Sequence, residues 1–185
     1  MKILKDRRIA ILITIIVVVL ATLLGVRGSL VRLSRDAERM FYDGVNLKEE
    51  GYTQPGIDSQ LRNRMNSALG FASLMEKHPE LEGAAGALLS ARRELLDANS
   101  IKGMYSANES MQRAFVELLE KAEKFGLSNK EREDMERYSA TFQGAQTAIR
   151  NSHYNQRAQS FMGDASILAR LMKPFLFVPG PQVFG

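Results

Sequence analysis

Residues 9–26 read IAILITIIVVVLATLLGV, eighteen consecutive positions without a charged side chain. At about 1.5 Å per residue, a helix of this length covers roughly 27 Å, close to the hydrocarbon thickness of a bilayer. The run is also longer than the apolar part of a cleaved signal peptide, which is usually about 7 to 15 residues. It therefore predicts a transmembrane signal-anchor helix over residues 9–26, with cleavage at the Gly28–Ser29 bond as the alternative.

Charged residues on the two sides of this run predict its orientation. It is preceded by four basic residues and one acidic residue: Lys2, Lys5, Asp6, Arg7 and Arg8. The arginines that follow it lie close to Asp36 and Glu38. Because Lys and Arg near a span favour the cytoplasmic side of the cell membrane, we expect residues 1–8 to be a basic cytoplasmic N-terminus and the chain after the span to be extracytoplasmic.

The overall composition excludes several classes of protein. The chain has 185 residues, of which 45% are hydrophobic, and this is enough for a buried core. It has no cysteine, which excludes disulfide scaffolds, thiolate metal sites and iron–sulfur clusters. Of its 25 Lys and Arg, four precede the apolar run, as does one of its 21 Asp and Glu, so the remainder carries a net charge of only +1. A nucleic-acid partner is therefore not expected.

Beyond residue 26, apolar residues recur at steps of three and four, the coiled-coil-like spacing of one buried helix face. The anchor helix is expected to continue to about Glu50, before a loop with two glycines and a proline over residues 51–56. Four further helices are predicted from the following stripes: Leu61, Met65, Ala68, Ala72 and Met75; Leu81, Ala85, Leu88, Leu95 and Leu96; Ala107, Met111, Ala114, Leu118, Ala122 and Phe125; and Met135, Tyr138, Phe142, Ala145 and Ile149.

Local signals predict the ends of these helices. Ser106 with Glu109 and Ser128 with Glu131 have the spacing of a capping box, in which each side chain binds the other residue's backbone N–H at a helix start. The last long helix is expected to run to about Phe161. No segment predicts a β-strand.

Amphipathic helices joined by short loops pack as antiparallel neighbours. The sequence therefore predicts an all-α fold, in which the transmembrane helix continues into an elongated, antiparallel up-and-down helical bundle over residues 27–175. An irregular apolar tail, residues 176–185, is expected either to dock on the bundle or to contact the membrane or a partner. Because heptad stripes also pair between chains, a homo-oligomer remains open.

Three blocks carry a resemblance to a known family, and the middle one, the segment to Glu80 with Ala91 and Arg92, looks like a helix pair of that family. Residues 56–64 read GIDSQLRNR and resemble the Ile-Asp-x-x-Leu-x-x-Arg element of the LemA family. Residues 148–156 read AIRNSHYNQ and are similar to that family's Ile-Ala-x-x-Arg-x-x-Tyr-Asn motif, followed by Phe161 where the family has a phenylalanine. Arg150 is offset from the family arginine and Met162 replaces its proline, so the chain resembles a divergent LemA member.

The resemblance implies a single-pass bacterial membrane protein with a helical bundle at the cell envelope and a membrane or envelope protein partner, such as a membrane protease. The residues that match the family motifs are the candidate site: Ile57, Asp58, Leu61, Arg64, Ile149, His153, Tyr154, Asn155 and Phe161. Because His153, Tyr154 and Asn155 are consecutive, they point in three directions on a helix and suit a structural clasp better than a catalytic centre. Recognition of a ligand or partner is the alternative role.

The sequence contains no catalytic signature. Its two histidines, His78 and His153, have neither His-Glu-x-x-His nor Glu-x-x-His spacing, and no phosphate-binding loop or Gly-x-Ser-x-Gly motif is present. We therefore expect no catalytic, cofactor-binding or metal-binding residue, and no cofactor. The predicted function is a non-enzymatic scaffold or partner-binding module, and the alternative is an extracytoplasmic ligand-sensing bundle that acts through a separate signalling partner.

Overall fold

The computed structural model describes residues 7–47, 51–165 and 167–185, so most of the predicted N-terminal segment 1–8 lies outside the described residues. The chain is mainly helical, which confirms the predicted all-α fold class. Its helices are α1 (Arg7–Asp43), α2 (Ile57–Met75), α3 (Pro79–Asp97), α4 (Ile101–Lys124), α5 (Asn129–Arg150), α6 (Tyr154–Ser160) and α7 (Ile167–Leu176). A 3-10 turn, Phe161–Asp164, follows α6.

The long first helix, α1, ends at Asp43, and its predicted end near Glu50 is wrong. Gly44 follows with φ +96°, a left-handed conformation that suits glycine and ends helices. Its N–H donates to the Met40 carbonyl at 3.0 Å, which satisfies one of the carbonyls that a helix end leaves free. The chain therefore changes direction earlier than the apolar spacing suggested.

Two short strands, β1 (Val45–Leu47) and β2 (Tyr52–Gln54), lie between α1 and α2. They form an antiparallel hairpin in which Val45 pairs with Gln54 and Leu47 with Tyr52. The expectation that the chain has no strand is therefore wrong. Three residues are too few to give the alternating pattern by which a strand is predicted.

Contacts divide the chain into two compact units. Unit 1 comprises Met1–Glu38 and Gln156–Pro181, and unit 2 comprises Arg39–Asn155 and Gln182–Gly185. Unit 1 contains the apolar part of α1 together with α7. Unit 2 contains the hairpin and helices α2 to α5.

Unit 2 is a helical bundle. Because loops of three or four residues join α2 to α5, successive helices run in opposite directions. Helix α2 packs against α3, α4 and α5, and α3 packs against α4. The predicted stripes supply most of the core, whose largest buried apolar side chains include Ile57, Leu61, Phe71, Met75, Leu88, Met111, Phe115 and Phe142.

Aromatic rings fill the middle of this bundle. Phe115 and Phe142 stack with centroids 3.8 Å apart and planes 6° from parallel, and the Phe71 ring lies 5.0 Å from that of Phe115. Five stripe residues that were predicted as core are not buried: Leu96 is 52% exposed, and Met65, Ala114, Phe125 and Tyr138 are half-buried. Leu96 and Ala114 each lie one position from a buried residue, Leu95 and Phe115, because a strict heptad drifts from the 3.6-residue repeat.

The start of α5 confirms one of the two predicted capping boxes. The Glu131 N–H donates to Ser128 Oγ at 3.4 Å, and the Ser128 N–H donates to Glu131 Oε2 at 2.9 Å. The capping box predicted at Ser106 is wrong, because α4 begins earlier. Its N-cap is Ser100, whose Oγ accepts the Gly103 N–H at 3.1 Å.

The last long helix is shorter than predicted. It ends at Arg150 rather than near Phe161, and the Asn151 N–H closes its final turn on the Thr147 carbonyl at 3.0 Å. Ser152 then starts α6, because its Oγ accepts the Tyr154 N–H at 3.2 Å. This break places the Tyr-Asn pair at the start of a separate helix.

In unit 1, the part of α1 that follows the apolar run packs against α7 and the tail. The buried residues of this cluster are Leu30, Ala165, Ala169 and Val178, flanked by Val26, Val31, Leu33 and Leu176. Ser34 Oγ donates to the Pro179 carbonyl at 3.3 Å. The tail therefore packs on the protein through Val178.

The apolar run itself is not covered by protein. Leu12 is 59% exposed and Leu24 is 70% exposed, and the large side chains between them are also exposed except for Leu23, which is half-buried. In the described part of the chain, α1 is the one helix long and apolar enough to cross a membrane.

Candidate functional site

The Tyr154-Asn155 pair binds the end of the chain. We call this the tail site: Tyr154 and Asn155 at the start of α6, with Gln182 and Phe184 of the C-terminal segment bound to them. All four residues belong to unit 2. The break between α5 and α6 allows two adjacent side chains to reach the same segment, which one continuous helix would direct apart.

Tyr154 supplies an apolar ring and a hydroxyl donor. Its side chain is fully buried, and its ring meets that of Phe41 edge-on with centroids 5.5 Å apart. The hydroxyl donates to the Gln182 carbonyl at 2.5 Å. A buried tyrosine hydroxyl needs such a partner, so the tail contributes directly to the environment of this residue.

Asn155 binds both backbone polar groups of one tail residue. Its Nδ2 donates to the Phe184 carbonyl at 2.8 Å, and its Oδ1 accepts the Phe184 N–H at 2.8 Å. These two bonds fix the position of the tail main chain without depending on its side chains. An amide provides one donor group and one acceptor, so no other uncharged side chain except glutamine offers this pairing.

The Phe184 ring is the apolar anchor of the tail. It is 6% exposed, and its centroid lies 5.7 Å from that of Phe41 and 5.3 Å from that of Tyr105, the latter edge-on. Gln182 Oε1 also accepts the Lys102 N–H at 3.3 Å in the first turn of α4. The tail site thus has the chemistry of a short peptide-binding groove, with main-chain hydrogen bonds and one aromatic pocket.

His153 connects the same turn to the hairpin. Its N–H donates to Gln54 Oε1 at 2.9 Å, and its ring Nδ1 lies 3.3 Å from the same oxygen. Gln54 Nε2 donates to the Asn151 carbonyl at 3.1 Å. The Gln54 amide therefore bridges the turn between α5 and α6, and the histidine is part of a structural link.

Arg64 forms a separate polar cluster inside the bundle. This side chain is fully buried on α2, where its two terminal nitrogens donate to Asn108 Oδ1 and Gln112 Oε1 of α4. Its guanidinium carbon lies 4.0 Å from the centroid of the Phe142 ring on α5. The arginine therefore joins three helices through planar contacts that a lysine cannot reproduce.

The electrostatic environment of Arg64 is unfavourable for a charge. Burial lowers the pKa of Arg64 to about 10, and the positive charge of Arg150 acts in the same direction, whereas Glu109 opposes it. Among the described residues, no Asp or Glu forms an ion pair with Arg64. In the described part of the chain, three buried side-chain atoms also have no hydrogen-bond partner: Arg64 Nε, Asn108 Nδ2 and Gln146 Oε1.

The remaining predicted site residues do not join either cluster through polar groups. Ile57, Leu61 and Ile149 are buried apolar residues of the bundle. Asp58 is half-buried and binds the neighbouring Arg62 at 2.8 Å, and Phe161 is a buried residue of unit 1. The predicted site residues therefore divide between core packing, the buried arginine cluster and the tail site.

Sequence reasoning missed the partners of the predicted residues. Asn108 and Gln112 each follow a residue of the predicted α4 stripe by one position, and this placement was the only signal that they border the core. No sequence signal indicated that Gln182 binds Tyr154. Within the described ranges, no group of three or more His, Cys, Asp or Glu side chains could hold a metal ion. No protein-family model, curated protein or solved structure matches this chain.

Proposed function

We propose that this chain is a single-pass membrane protein of the LemA type whose helical bundle is a non-enzymatic scaffold that binds a protein partner at the bacterial cell envelope. The observation that carries the proposal is the exposed apolar run of α1, which continues without a break into folded protein. An apolar surface of this length is stable only in a bilayer or against another protein. The run therefore supports a membrane anchor.

The orientation follows from charge. The basic residues before the run favour a cytoplasmic N-terminus, which makes the bundle extracytoplasmic. Because the natural chain has no cysteine, a single cysteine introduced at Glu117, an exposed position of α4, tests this directly. We expect a membrane-impermeant maleimide to label Glu117→Cys in intact cells. Labelling that requires cell lysis would place the bundle in the cytoplasm.

Partner binding is supported by the chemistry of the tail site. Asn155 and Tyr154 hold a peptide segment by its main chain, and any protein with an extended aromatic segment supplies the same groups. An envelope protein, such as the membrane protease that the family resemblance suggests, is the proposed partner. The structural roles of His153, Tyr154 and Asn155 also support a non-enzymatic function.

Crosslinking in intact cells tests the partner-binding proposal. The full-length chain and a form without residues 1–26 are each crosslinked and purified, and the proteins recovered with them are identified by mass spectrometry. We expect one envelope protein to be recovered in a fixed ratio with the anchored form alone. Recovery of no protein, together with a retained small molecule, would contradict the scaffold proposal.

A second candidate function, ligand sensing by the bundle, is favoured by the Arg64 cluster. Arg64 is a buried cation that forms no ion pair among the described residues, and its Nε and the Nδ2 of the adjacent Asn108 are donors without an acceptor, so the cluster has the chemistry to receive a small anion. Inorganic phosphate and acetate are the probes. Stabilisation of the wild type by either anion, and its loss in Arg64→Met, would favour sensing over scaffolding. Equal melting temperatures with and without both anions would contradict it.

A further inference from the structure

Helix α7 has apolar residues on two faces. Its inner face contributes Ala169, which is 2% exposed against Leu30 of α1. Its outer face carries Ile167 and Leu171, which are 77% and 67% exposed and lie four residues apart, so that they are neighbours on one side of the helix. Phe177, directly after the helix, is 89% exposed. A helix that is apolar on both faces needs a second apolar environment outside the protein.

The position of α7 along α1 indicates what that environment is. Its buried face contacts Leu30 and is flanked by Val26, the last residue of the proposed span. Four helical residues separate these two positions, a rise of about 6 Å. Amphipathic helices at membrane surfaces bury their apolar face about 5 to 10 Å into the boundary between headgroups and acyl chains. The outer face of α7 therefore lies at the level where the span leaves the hydrocarbon.

Unit 1 also has basic side chains near the end of the proposed span. Arg27 and Arg32 are exposed on α1, and Arg170 is exposed on α7, whereas the exposed Arg35 lies further from the span and beside the exposed Asp36. Two nitrogens of Arg170 donate to the Ala165 and Gly163 carbonyls, which fixes its side chain near the start of the helix. Arginines at this depth are suited to the phosphates of anionic lipids.

The backbone at Phe177 provides independent support. Phe177 has φ 47°, and it is the one residue other than glycine with a positive φ in the described part of the chain. This position follows a helix end, where glycine is the usual residue and a bulky side chain is strained. Strain of this kind persists where the surroundings compensate for it. Here the surroundings include the burial of Val178 in the same cluster as Leu30 and the hydrogen bond from Ser34 Oγ to the Pro179 carbonyl, and they hold the Phe177 ring exposed, where an apolar environment outside the chain can receive it.

We propose that α7 lies in the headgroup region of the bilayer that α1 spans, with Ile167, Leu171 and Phe177 inserted at the ends of the acyl chains. This inference rests on the proposed function, because it needs the membrane anchor. It adds a second, interfacial contact between unit 1 and the lipid surface. The bound surface is an anionic bilayer, recognised by three apolar side chains and the adjacent arginines.

Fluorescence quenching in vesicles tests the proposal. Single-cysteine variants of the full-length chain, Leu171→Cys and Phe177→Cys, are labelled with a polarity-sensitive fluorophore and reconstituted into vesicles of phosphatidylcholine and phosphatidylglycerol. The lipids carry a spin-label quencher either near the headgroup or deep in the acyl chain. Val17→Cys, in the middle of the span, and Thr141→Cys, exposed on α5, are the matched controls. We expect positions 171 and 177 to be quenched most by the shallow label, position 17 by the deep label, and position 141 by neither.

The control at position 17 distinguishes failure of the membrane anchor from failure of the interfacial position of α7. If position 17 is not quenched, the membrane anchor is wrong. If position 17 is quenched while positions 171 and 177 match position 141, the anchor remains and the interfacial position of α7 is overturned. A blue-shifted fluorophore at position 171 without lipid quenching, together with disulfide formation between two Leu171→Cys chains, would show that a second copy covers this face instead.

A variant at Phe177 distinguishes lipid contact from a purely structural role. Phe177→Gly removes the strained side chain and is compatible with the positive φ, so we expect its melting temperature to equal or exceed that of the wild type. In the same variant, we expect quenching at position 171 by the shallow label to fall toward the value at position 141. Full quenching at position 171 would show that Phe177 does not hold α7 in the bilayer.

Discussion

Arg64 shows how one residue can fix the arrangement of a helical core. Its guanidinium joins α2 to two amides of α4 and lies on the Phe142 ring of α5. A buried charge costs free energy, yet its removal leaves the two amide oxygens, on Asn108 and Gln112, without a donor. The cluster therefore joins three helices, and we expect removal of the arginine alone to cost more stability than replacement of the cluster by apolar side chains.

The Arg64 cluster predicts that one substitution lowers the free energy of unfolding and that a second substitution partly restores it. We expect Arg64→Met to lower the free energy of unfolding by about 1 to 3 kcal/mol, because the acceptors become unsatisfied. Adding Asn108→Leu is expected to recover the part of that loss that comes from Asn108, the fully buried acceptor, whereas Gln112 is half-buried and can bind water. Urea unfolding of the full-length chain in detergent, followed by circular dichroism, measures both values.

The matched control is Arg62→Met on the same helix. Arg62 is exposed and binds Asp58 four residues away, so its loss is expected to change stability by no more than about 0.5 kcal/mol. An Arg64→Met chain as stable as this control would show that the buried arginine can be replaced without a cost to the two acceptors.

Glu131 makes the stability of α5 depend on acidic pH. Hydrogen bonds from the Ser128 hydroxyl and backbone N–H, with a smaller contribution from His78 at 3.0 Å, lower the pKa of Glu131 to about 2. Because this pKa lies below the unfolded value of 4.5, the carboxylate stabilises the folded state above about pH 5, and this stabilisation is lost as the pH falls toward 2.

We therefore expect the melting-temperature difference between the wild type and Glu131→Gln to be at its full size above about pH 5 and to disappear as the pH falls toward about 2. Glu117→Gln, which removes an exposed carboxylate bound to Lys121, is the control and is expected to leave the acid dependence of the wild type in place. The same acid dependence in wild type and Glu131→Gln would mean that other groups determine it.

At the scale of an element, the hairpin after α1 depends on the space around Gly44. Its φ is +96°, and a Cβ there would collide with the Gln54 carbonyl oxygen and lie 3.1 Å from the Gly56 nitrogen. Gly51 has φ +72°, but no atom of the described residues lies within 4 Å of its Cβ position. An alanine at Gly51 is therefore expected to show the cost of a left-handed backbone alone. An alanine at Gly44 is expected to show that cost together with the cost of a collision with the main chain.

We expect Gly51→Ala to cost about 1 to 2 kcal/mol, the price of a left-handed conformation for alanine. Gly44→Ala adds an overlap with backbone atoms, and the expected total is about 2 to 5 kcal/mol. Thermal unfolding of the two variants in one detergent gives the comparison. Equal melting temperatures would show that the backbone around Gln54 moves to accept the methyl group.

The elements that could be predicted from sequence are the helices, because each has a pattern of apolar residues that repeats along a short stretch of chain. Met135, Phe142 and Ile149 recur at helical spacing, and such a stripe predicts a buried face without knowledge of its partner. The hairpin has no comparable signal, because its strands are short and stabilised by the close approach of Gly44 to Gln54. A contact between residues far apart in sequence leaves no periodic pattern.

The candidate site illustrates the same limit. The chemistry of Tyr154 and Asn155 could be anticipated as a clasp or a recognition motif, but their partner is a tail 28 to 29 residues further along the chain. The tail has no regular structure from which its path could be inferred. Which of the two roles the pair has is a property of the whole molecule, because it depends on what occupies the tail site.

At the scale of the whole molecule, the coupling between Asn155 and the tail decides between these roles. Both hydrogen bonds of the Asn155 amide are made to Phe184, so they exist only when residues 182–185 are present. In the full-length chain, we expect Asn155→Ala to lower the free energy of unfolding by about 1 to 3 kcal/mol. Gln159→Ala, at an exposed position of α6, is the control and is expected to be neutral.

A chain that combines Asn155→Ala with truncation after Pro181 completes a double-mutant cycle. Two changes that remove the same interaction are not additive in such a cycle. If the pair is a clasp, Asn155→Ala costs nothing further in a chain that ends at Pro181, and crosslinking recovers the same partner from every variant. If the pair recognises a partner, truncation frees the tail site and increases the crosslinked yield, whereas Asn155→Ala lowers it in both chains. An equal loss of stability from Asn155→Ala with and without the tail would contradict the clasp, because the amide would then act through groups other than Phe184.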